Sequence, residues 1–223
     1  MIDPTSPVSA IVAARNEEPT VGNVVKILVD SGWFREVLVV SDGSTDHTAM
    51  EARHAGATQV RALRINRGKG GALAHGVKRS TGSILFFCDA DLHGLRPEHL
   101  DLLLKPVRSG RLAMCIGLRD RGRVITALSR WLPRIGGERA LRREIFEAIP
   151  SHFLEGFMIE TALNVYCKRH HLSFDVRRLA GLRIRRKMEK VGWWQGGKEY
   201  VRMSWQIVKA HGILANARWR REI

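Results

Sequence analysis

Ser83-Ile84-Leu85-Phe86-Phe87-Cys88-Asp89-Ala90-Asp91-Leu92 decides how the rest of the chain is read. An apolar run of strand length ends by delivering two carboxylates, one residue apart, to the point where a strand would stop. Residues i and i+2 of an extended chain point to the same side, so Asp89 and Asp91 face one locus. Mg²⁺ or Mn²⁺ at an open edge takes one or two carboxylates and fills its shell with water and substrate phosphates. Asp-x-Asp after a buried strand is therefore a candidate holder of a metal–diphosphate complex. Such tripeptides are common, and the surrounding segments have to decide.

Upstream, short β-branched runs alternate with helical spacing. Val8–Ala13 predicts a buried strand, followed by the turn-prone Arg15-Asn16-Glu17-Glu18-Pro19. Thr20 is placed as the N-cap of a helix over Val21–Ser31, where Val21, Val24, Val25 and Leu28 recur at helical intervals. Glu36–Val40 predicts a second strand that ends in Ser41-Asp42-Gly43-Ser44-Thr45-Asp46, with Asp46 capping a helix through His54. Gln59–Leu63 is a third strand, and Gly68–Arg79 is a helix opened by glycines. Strand–helix repeats without hairpin signals predict a mostly parallel, helix-covered sheet. Right-handed crossovers then bring the loops Arg15–Glu18, Asp42–Asp46 and Asp89–Asp91 to one edge, where open α/β sheets bind ligands.

Downstream, Pro97–Arg108 predicts a helix and Leu112–Gly117 a strand. Gly136-Gly137 interrupts before Arg139–Ala148, Gly156–Arg169 is an amphipathic helix and 173–187 is extended. Lys198–Trp219 predicts a long basic helix. We divide the chain into a catalytic domain, 1–190, and a basic Trp-rich tail, 191–223, packed on the domain or on a membrane surface.

With 223 residues the chain is long enough for a full core. Three widely spaced cysteines form neither a disulfide framework nor a zinc pattern, which suits a reducing cytosol. No basic-then-apolar leader and no apolar run of about 18 residues is visible, so the expected location is cytoplasmic. The net charge is +15, of which +11 lies between Lys168 and Ile223 together with four of the six tryptophans. Arg outnumbers Lys 28 to 9, so a codon bias toward Arg on solvated faces competes with an anionic membrane or nucleic acid as partner. No zinc finger, helix-turn-helix or aromatic RNA-binding pattern is present, which argues against nucleic acid.

Arg67-Gly68-Lys69-Gly70-Gly71 opens a helix. Glycines admit close backbone approach to an anion and the helix N-terminus offers free N–H groups; equally, they permit a tight strand–helix connection. The Walker spacing is absent. Asp42-Gly43 at a strand end is either an acceptor for a base or ribose, or a turn followed by a cap.

Together these segments resemble the inverting-type nucleotide-sugar glycosyltransferases of family 2, which have the GT-A fold. The resemblance rests on Val8–Glu18, Val39–Asp46, Asn66–Leu73 and Cys88–Leu92, and extends through Gly136–Arg143 and Glu155–Glu160. The later segments look most like polyprenyl (dolichyl)-phosphate mannose or glucose synthases, with glucosyl-phosphoglycerate synthases as a second relative. It implies a GT-A type, Rossmann-like α/β fold: a mostly parallel central sheet flanked by helices, here with a basic helical C-terminal segment. It implies a UDP- or GDP-sugar donor held with Mg²⁺ or Mn²⁺. Ala13, Ala14, Arg15 and Glu17 would line the nucleoside, with Asp42 and Gly43 at the base or ribose. Gly68, Lys69 and Gly70 would lie by the nucleotide half of the donor. Asp89 and Ala90 would meet the donor, and Asp89 and Asp91 would hold the cation, Asp91 the more directly. Glu138 and Arg139 would sit by the sugar or the acceptor. Ser41 and Ala14 stand where many relatives have Asp and Pro.

The implied reaction displaces a nucleoside diphosphate from an anomeric carbon. A hydroxyl acceptor needs a base, for which Asp120, Glu155 and Glu160 are the candidates; a lipid phosphate needs none, and Arg119 or Arg121 would hold it. The Trp-rich basic tail favours a polyprenyl phosphate and a peripheral position on the inner face of the membrane. Transfer to phosphoglycerate or a sugar hydroxyl is the alternative. The stereochemical outcome and a homodimer stay open, as does a third metal ligand among His152, His170 and His171.

Overall fold

The computed structural model describes residues 6–119, 136–154 and 158–184. Asp120, Arg121, Glu155, the Lys198–Trp219 helix and the 191–223 tail lie outside the described residues. Seven strands form one sheet: β1 (Val8–Ala14), β2 (Glu36–Asp42), β3 (Gln59–Leu63), β4 (Ile84–Asp89), β6 (Met114–Arg119), β7 (Arg139–Arg142) and β8 (Phe174–Leu179). Their order is β3-β2-β1-β4-β7-β6-β8. All run in one direction except β7, which is antiparallel to both β4 and β6. A separate ribbon pairs β5 (Leu92–His93) with β9 (Arg183–Ile184). The architecture is the expected GT-A-like α/β sheet, mostly parallel and flanked by helices.

The helices lie in two layers. Helices α1 (Glu18–Asp30), α2 (Thr48–His54) and α4 (Pro97–Arg108) cover the face lined by Val8, Ala10, Val12, Val37, Val39 and Phe86. Helices α3 (Gly68–Val77), α5 (Arg143–Glu147) and α6 (Met158–Arg169) cover the face of Ile11, Leu85, Phe87, Met114 and Leu141. Strands buried on both sides need apolar residues at successive positions, which is why the Ile84–Cys88 run has no polar alternation. Within α1 the buried Val21, Val24, Val25 and Leu28 form the inward stripe.

Two helix starts differ from expectation. Helix α1 begins at Glu18, and Thr20 lies inside its first turn, because Pro19 supplies the preset φ and missing N–H of a helix start. Asp46 does serve the start of α2, accepting the Thr48 N–H at 3.0 Å from just outside the helix, and it also takes the Glu18 N–H at 3.2 Å. Arg139–Ala148, read as one segment, divides into the antiparallel strand β7 and the short α5.

Registers place the functional edge. Ala13 is level with Asp89, Ala14 with Ser41 and Asp42 with Leu63. At the opposite edge the buried Glu36 ties three segments together. Its Oε1 accepts from Ser9 Oγ at 2.6 Å, Thr81 N at 2.6 Å and Thr81 Oγ1 at 3.0 Å. Burial raises the pKa of this carboxyl, but the hydrogen bonds from Ser9, Thr81 and Gly82 outweigh it and hold the group below the ordinary value.

Candidate active site

The loops after β1 and β2 are knitted into one surface. Asn16 Oδ1 accepts the Thr45 N–H at 2.9 Å, Ser44 Oγ accepts the Asn16 N–H at 3.2 Å, and Thr48 Oγ1 accepts the Glu17 N–H at 2.8 Å. Ala13 and Ala14 end β1 beneath this surface, and Arg15 is exposed upon it. Asp42 is buried at the end of β2, and its Oδ1 accepts the Arg67 N–H at 2.7 Å. Gly43 turns the chain there with φ +66°, in the left-handed region, and a β-carbon would meet Asn66 N at 2.9 Å. The Asp42 turn and the segment leading into α3 are thus one unit.

The glycines of that segment divide between the two readings open in the sequence. Gly68, at φ +74°, starts α3. Gly70 is buried against the carbonyl of Leu154, which leaves no space for a β-carbon. Gly70 therefore serves helix packing and faces the protein.

Asp89 is the centre of an ion-pair network. Lys69 Nζ lies 2.7 Å from its Oδ1 and 2.8 Å from Glu160 Oε1. Arg119 Nη2 meets Asp89 Oδ2, and the same guanidinium grips Glu138 through Nε and Nη2, each at 2.8 Å. Burial acts to raise the Asp89 pKa, but Lys69 and Arg119 hold its carboxyl well below the usual range. Burial likewise opposes the charge on Lys69, and Asp89 and Glu160 more than offset it, so its pKa rises. Burial pushes Glu138 up, with Arg119 pulling the other way. Two cations and three carboxylates from β4, α3, β6, α6 and the start of β7 therefore converge on the carboxyl edge.

Placement separates the expected residues. Asp89 and Asp91 are half-buried at the rim, while Ala90 between them turns inward. Glu160 reaches the site at the N-terminal end of α6. Glu138 and Arg139 are buried behind the rim, 0% and 1% exposed, so neither side chain is open to a sugar. Arg139 is held by the Gly136 carbonyl at 2.8 Å and the Glu160 carbonyl at 3.3 Å. Arg119, expected to hold an acceptor phosphate, has Nε and Nη2 engaged by Glu138 and Asp89. His170 and His171 follow the far end of α6, about 15 Å along the helix from Glu160. His152 lies on the 3-10 turn Ser151–Phe153 that leads to Leu154. Among the described residues no cluster of three or more His, Cys, Asp or Glu side chains forms a preset metal cage. The network itself escaped sequence reasoning, because Lys69, Asp89, Arg119, Glu138 and Glu160 pair across 19 to 91 residues.

The Rossmann-like sheet, its Asp-x-Asp rim and the glycine-opened helix beside it form one scaffold at the carboxyl edge. The glycosyl transferase family 2 profile matches residues 9–185, and the chain belongs to that family. The glucosyl-3-phosphoglycerate synthase of Mycolicibacterium paratuberculosis is 30% identical over 196 residues, 71% of this chain and 59% of that protein. The Mycolicibacterium smegmatis protein of the same name is 31% identical over 192 residues, 71% and 63% of the two chains. This chain thus spans about three-fifths of the length of these relatives. The crystal structure of Mycobacterium tuberculosis glucosyl-3-phosphoglycerate synthase in complex with Mn²⁺, UDP-glucose and phosphoglyceric acid superposes with a TM-score of 0.68 at 25% identity. It covers 81% of this chain and 72% of that one. The expected branch shifts accordingly, from the polyprenyl-phosphate synthases to the phosphoglycerate relatives. Among the described residues no helix is long and apolar enough to cross a membrane.

Proposed function

We propose that this chain transfers a hexosyl unit, glucose in the first instance, from a UDP-sugar to a small phosphorylated hydroxy acid of the phosphoglycerate class. The observation that carries this reading is the Lys69–Asp89–Arg119 bracket: two half-buried cations fixed on one carboxylate at the sheet edge, beside the start of α3. Such a bracket holds N–H donors in fixed positions at the edge where a leaving diphosphate would gain negative charge. The names of the matched relatives support glucose and phosphoglycerate as the two substrates.

In this reading the knitted β1 and β2 loops, with Asp42, hold the nucleoside. Asp91, half-buried at the rim two residues beyond Asp89, is the carboxylate that would hold the metal more directly. Its hard oxygen donors and half-open position fit Mg²⁺ or Mn²⁺, whose remaining positions water and donor phosphates fill. A cation there supplies Lewis-acid stabilisation of the leaving diphosphate. A hydroxyl acceptor must also lose a proton; of the candidates Asp120, Glu155 and Glu160, Glu160 is the one among the described residues, buried and paired with Lys69 beside the site.

Two measurements test this. Calorimetry should show UDP binding strengthened by Mn²⁺, and Asp91→Asn should lose the Mn²⁺ dependence with an unchanged circular dichroism spectrum. Mass spectrometry after incubation with UDP-glucose should find a hexosyl adduct of 3-phosphoglycerate. An adduct formed on a polyprenyl phosphate alone would move the acceptor to the lipid expected from the basic tail. Absence of binding by both UDP- and GDP-sugars would overturn the donor assignment.

A further inference from the structure

Glu138 is the most enclosed carboxylate of the site, and from its position it touches no substrate. Both its oxygens go to one residue: Arg119 Nε lies 2.8 Å from Oε2 and 3.1 Å from Oε1, and Nη2 lies 2.8 Å from Oε1. Desolvating a carboxylate to that depth is costly, and an apolar side chain of similar size usually serves packing as well or better. The gain has to lie in what the pair fixes.

It fixes a guanidinium. Glu138 holds two of its nitrogens, and Asp89 shares one of them, so the planar fork has a single orientation. Nη1 is the nitrogen left without a hydrogen-bond partner among the described residues. The backbone secures the grip: the Gly117 N–H donates to the Glu138 carbonyl at 2.7 Å. Gly137 lies so near that a β-carbon there would meet Arg119 Nη2 at 2.5 Å. The Arg119 side chain is 15% exposed, enough to reach a ligand at the rim.

We propose that Glu138 is a positioning residue that acts through Arg119, holding Nη1 toward a phosphoryl oxygen bound at the Asp89–Asp91 edge. This rests on the sugar-nucleotide reading above. A donor already aimed needs no reorganisation when the phosphate arrives. The oxygen belongs either to the donor diphosphate or to the phosphate of the acceptor.

The test is calorimetric titration of UDP, of uridine, and of 3-phosphoglycerate with UDP present, into the wild type and the Glu138→Gln, Arg119→Gln and double variants. Each single variant should weaken a phosphate-bearing ligand about tenfold, the loss of one charge-assisted hydrogen bond, with uridine affinity unchanged. The double variant should bind no more weakly than Arg119→Gln, as two residues acting in series require. Loss on UDP assigns the oxygen to the donor; loss on 3-phosphoglycerate alone assigns it to the acceptor. Wild-type affinity of Glu138→Gln for both ligands, parallel loss of UDP and uridine, or additive losses in the double variant would each overturn the proposal. Should Glu138→Gln not fold, Glu138→Asp keeps the charge and draws the fork back, and must still lower the ratio of UDP to uridine affinity several-fold. An unchanged ratio refutes it. If the wild type binds neither UDP nor uridine, the sugar-nucleotide reading fails first and takes this proposal with it.

Discussion

Removing the Lys69 ammonium should cost this protein more stability than removing any exposed lysine. Lys69 Nζ bridges Asp89 at 2.7 Å and Glu160 at 2.8 Å, with the three side chains between 5% and 20% exposed. Lys69→Met keeps most of the stem volume and removes the charge. Asp89 then retains Arg119, whereas Glu160 loses its ion-pair partner and faces Asp89 without an intervening cation. Breaking a buried pair in this way costs roughly 3–5 kcal/mol, and the residual exposure puts the expectation at the lower end, about 3 kcal/mol. For a domain of this size that corresponds to a fall in Tm of roughly 6–12 °C. Adding Glu160→Gln removes the stranded charge and should recover about half of the loss. Urea unfolding followed by circular dichroism, with the m-value held constant across variants, measures both steps. A loss below about 1 kcal/mol for Lys69→Met, or a double variant less stable than the single, would refute the network as described.

Glu36 gives a pH signature at the far edge of the sheet. Its folded-state pKa lies below its ordinary value, so its contribution is present above the unfolded pKa and is lost as pH falls through the lower folded value. Glu36→Gln should therefore flatten the acid limb of stability, and thermal melts between pH 3 and pH 7 should show the wild type and variant converging at low pH. Gly70→Ala should destabilise by about 1–3 kcal/mol or more, because the added methyl meets the Leu154 backbone and cannot be absorbed by a rotamer change; a melt within 1 °C of wild type would contradict the packing.

The parallel half of the molecule was legible because its signals are local. Strands β1, β2 and β4 announce themselves as largely apolar runs, and α1 and α4 show inward stripes at helical spacing. Four motifs at one edge then follow from topology alone. Strand β7 carried no such signal. Its four residues, Arg139-Ala140-Leu141-Arg142, hold two apolar side chains between arginines, and the run continues directly into α5. What makes it a strand is the pair of empty ladder edges on β4 and β6, a tertiary demand that propensity does not encode.

The same blindness hid the organisation of the site. A charged residue is expected at the surface unless it is paired, and the partners of Lys69, Asp89 and Glu138 lie far away in the chain. The family resemblance sets Glu138 and Arg139 together by the donor sugar or the acceptor. On an extended segment, however, adjacent side chains point to opposite faces. Glu138 therefore goes to Arg119 and the rim, while Arg139 goes to the backbone of Gly136 and Glu160. The alternation by which the sequence predicts one locus for Asp89 and Asp91 is thus the rule that assigns Glu138 and Arg139 to different tasks, although β4 itself ends at Asp89.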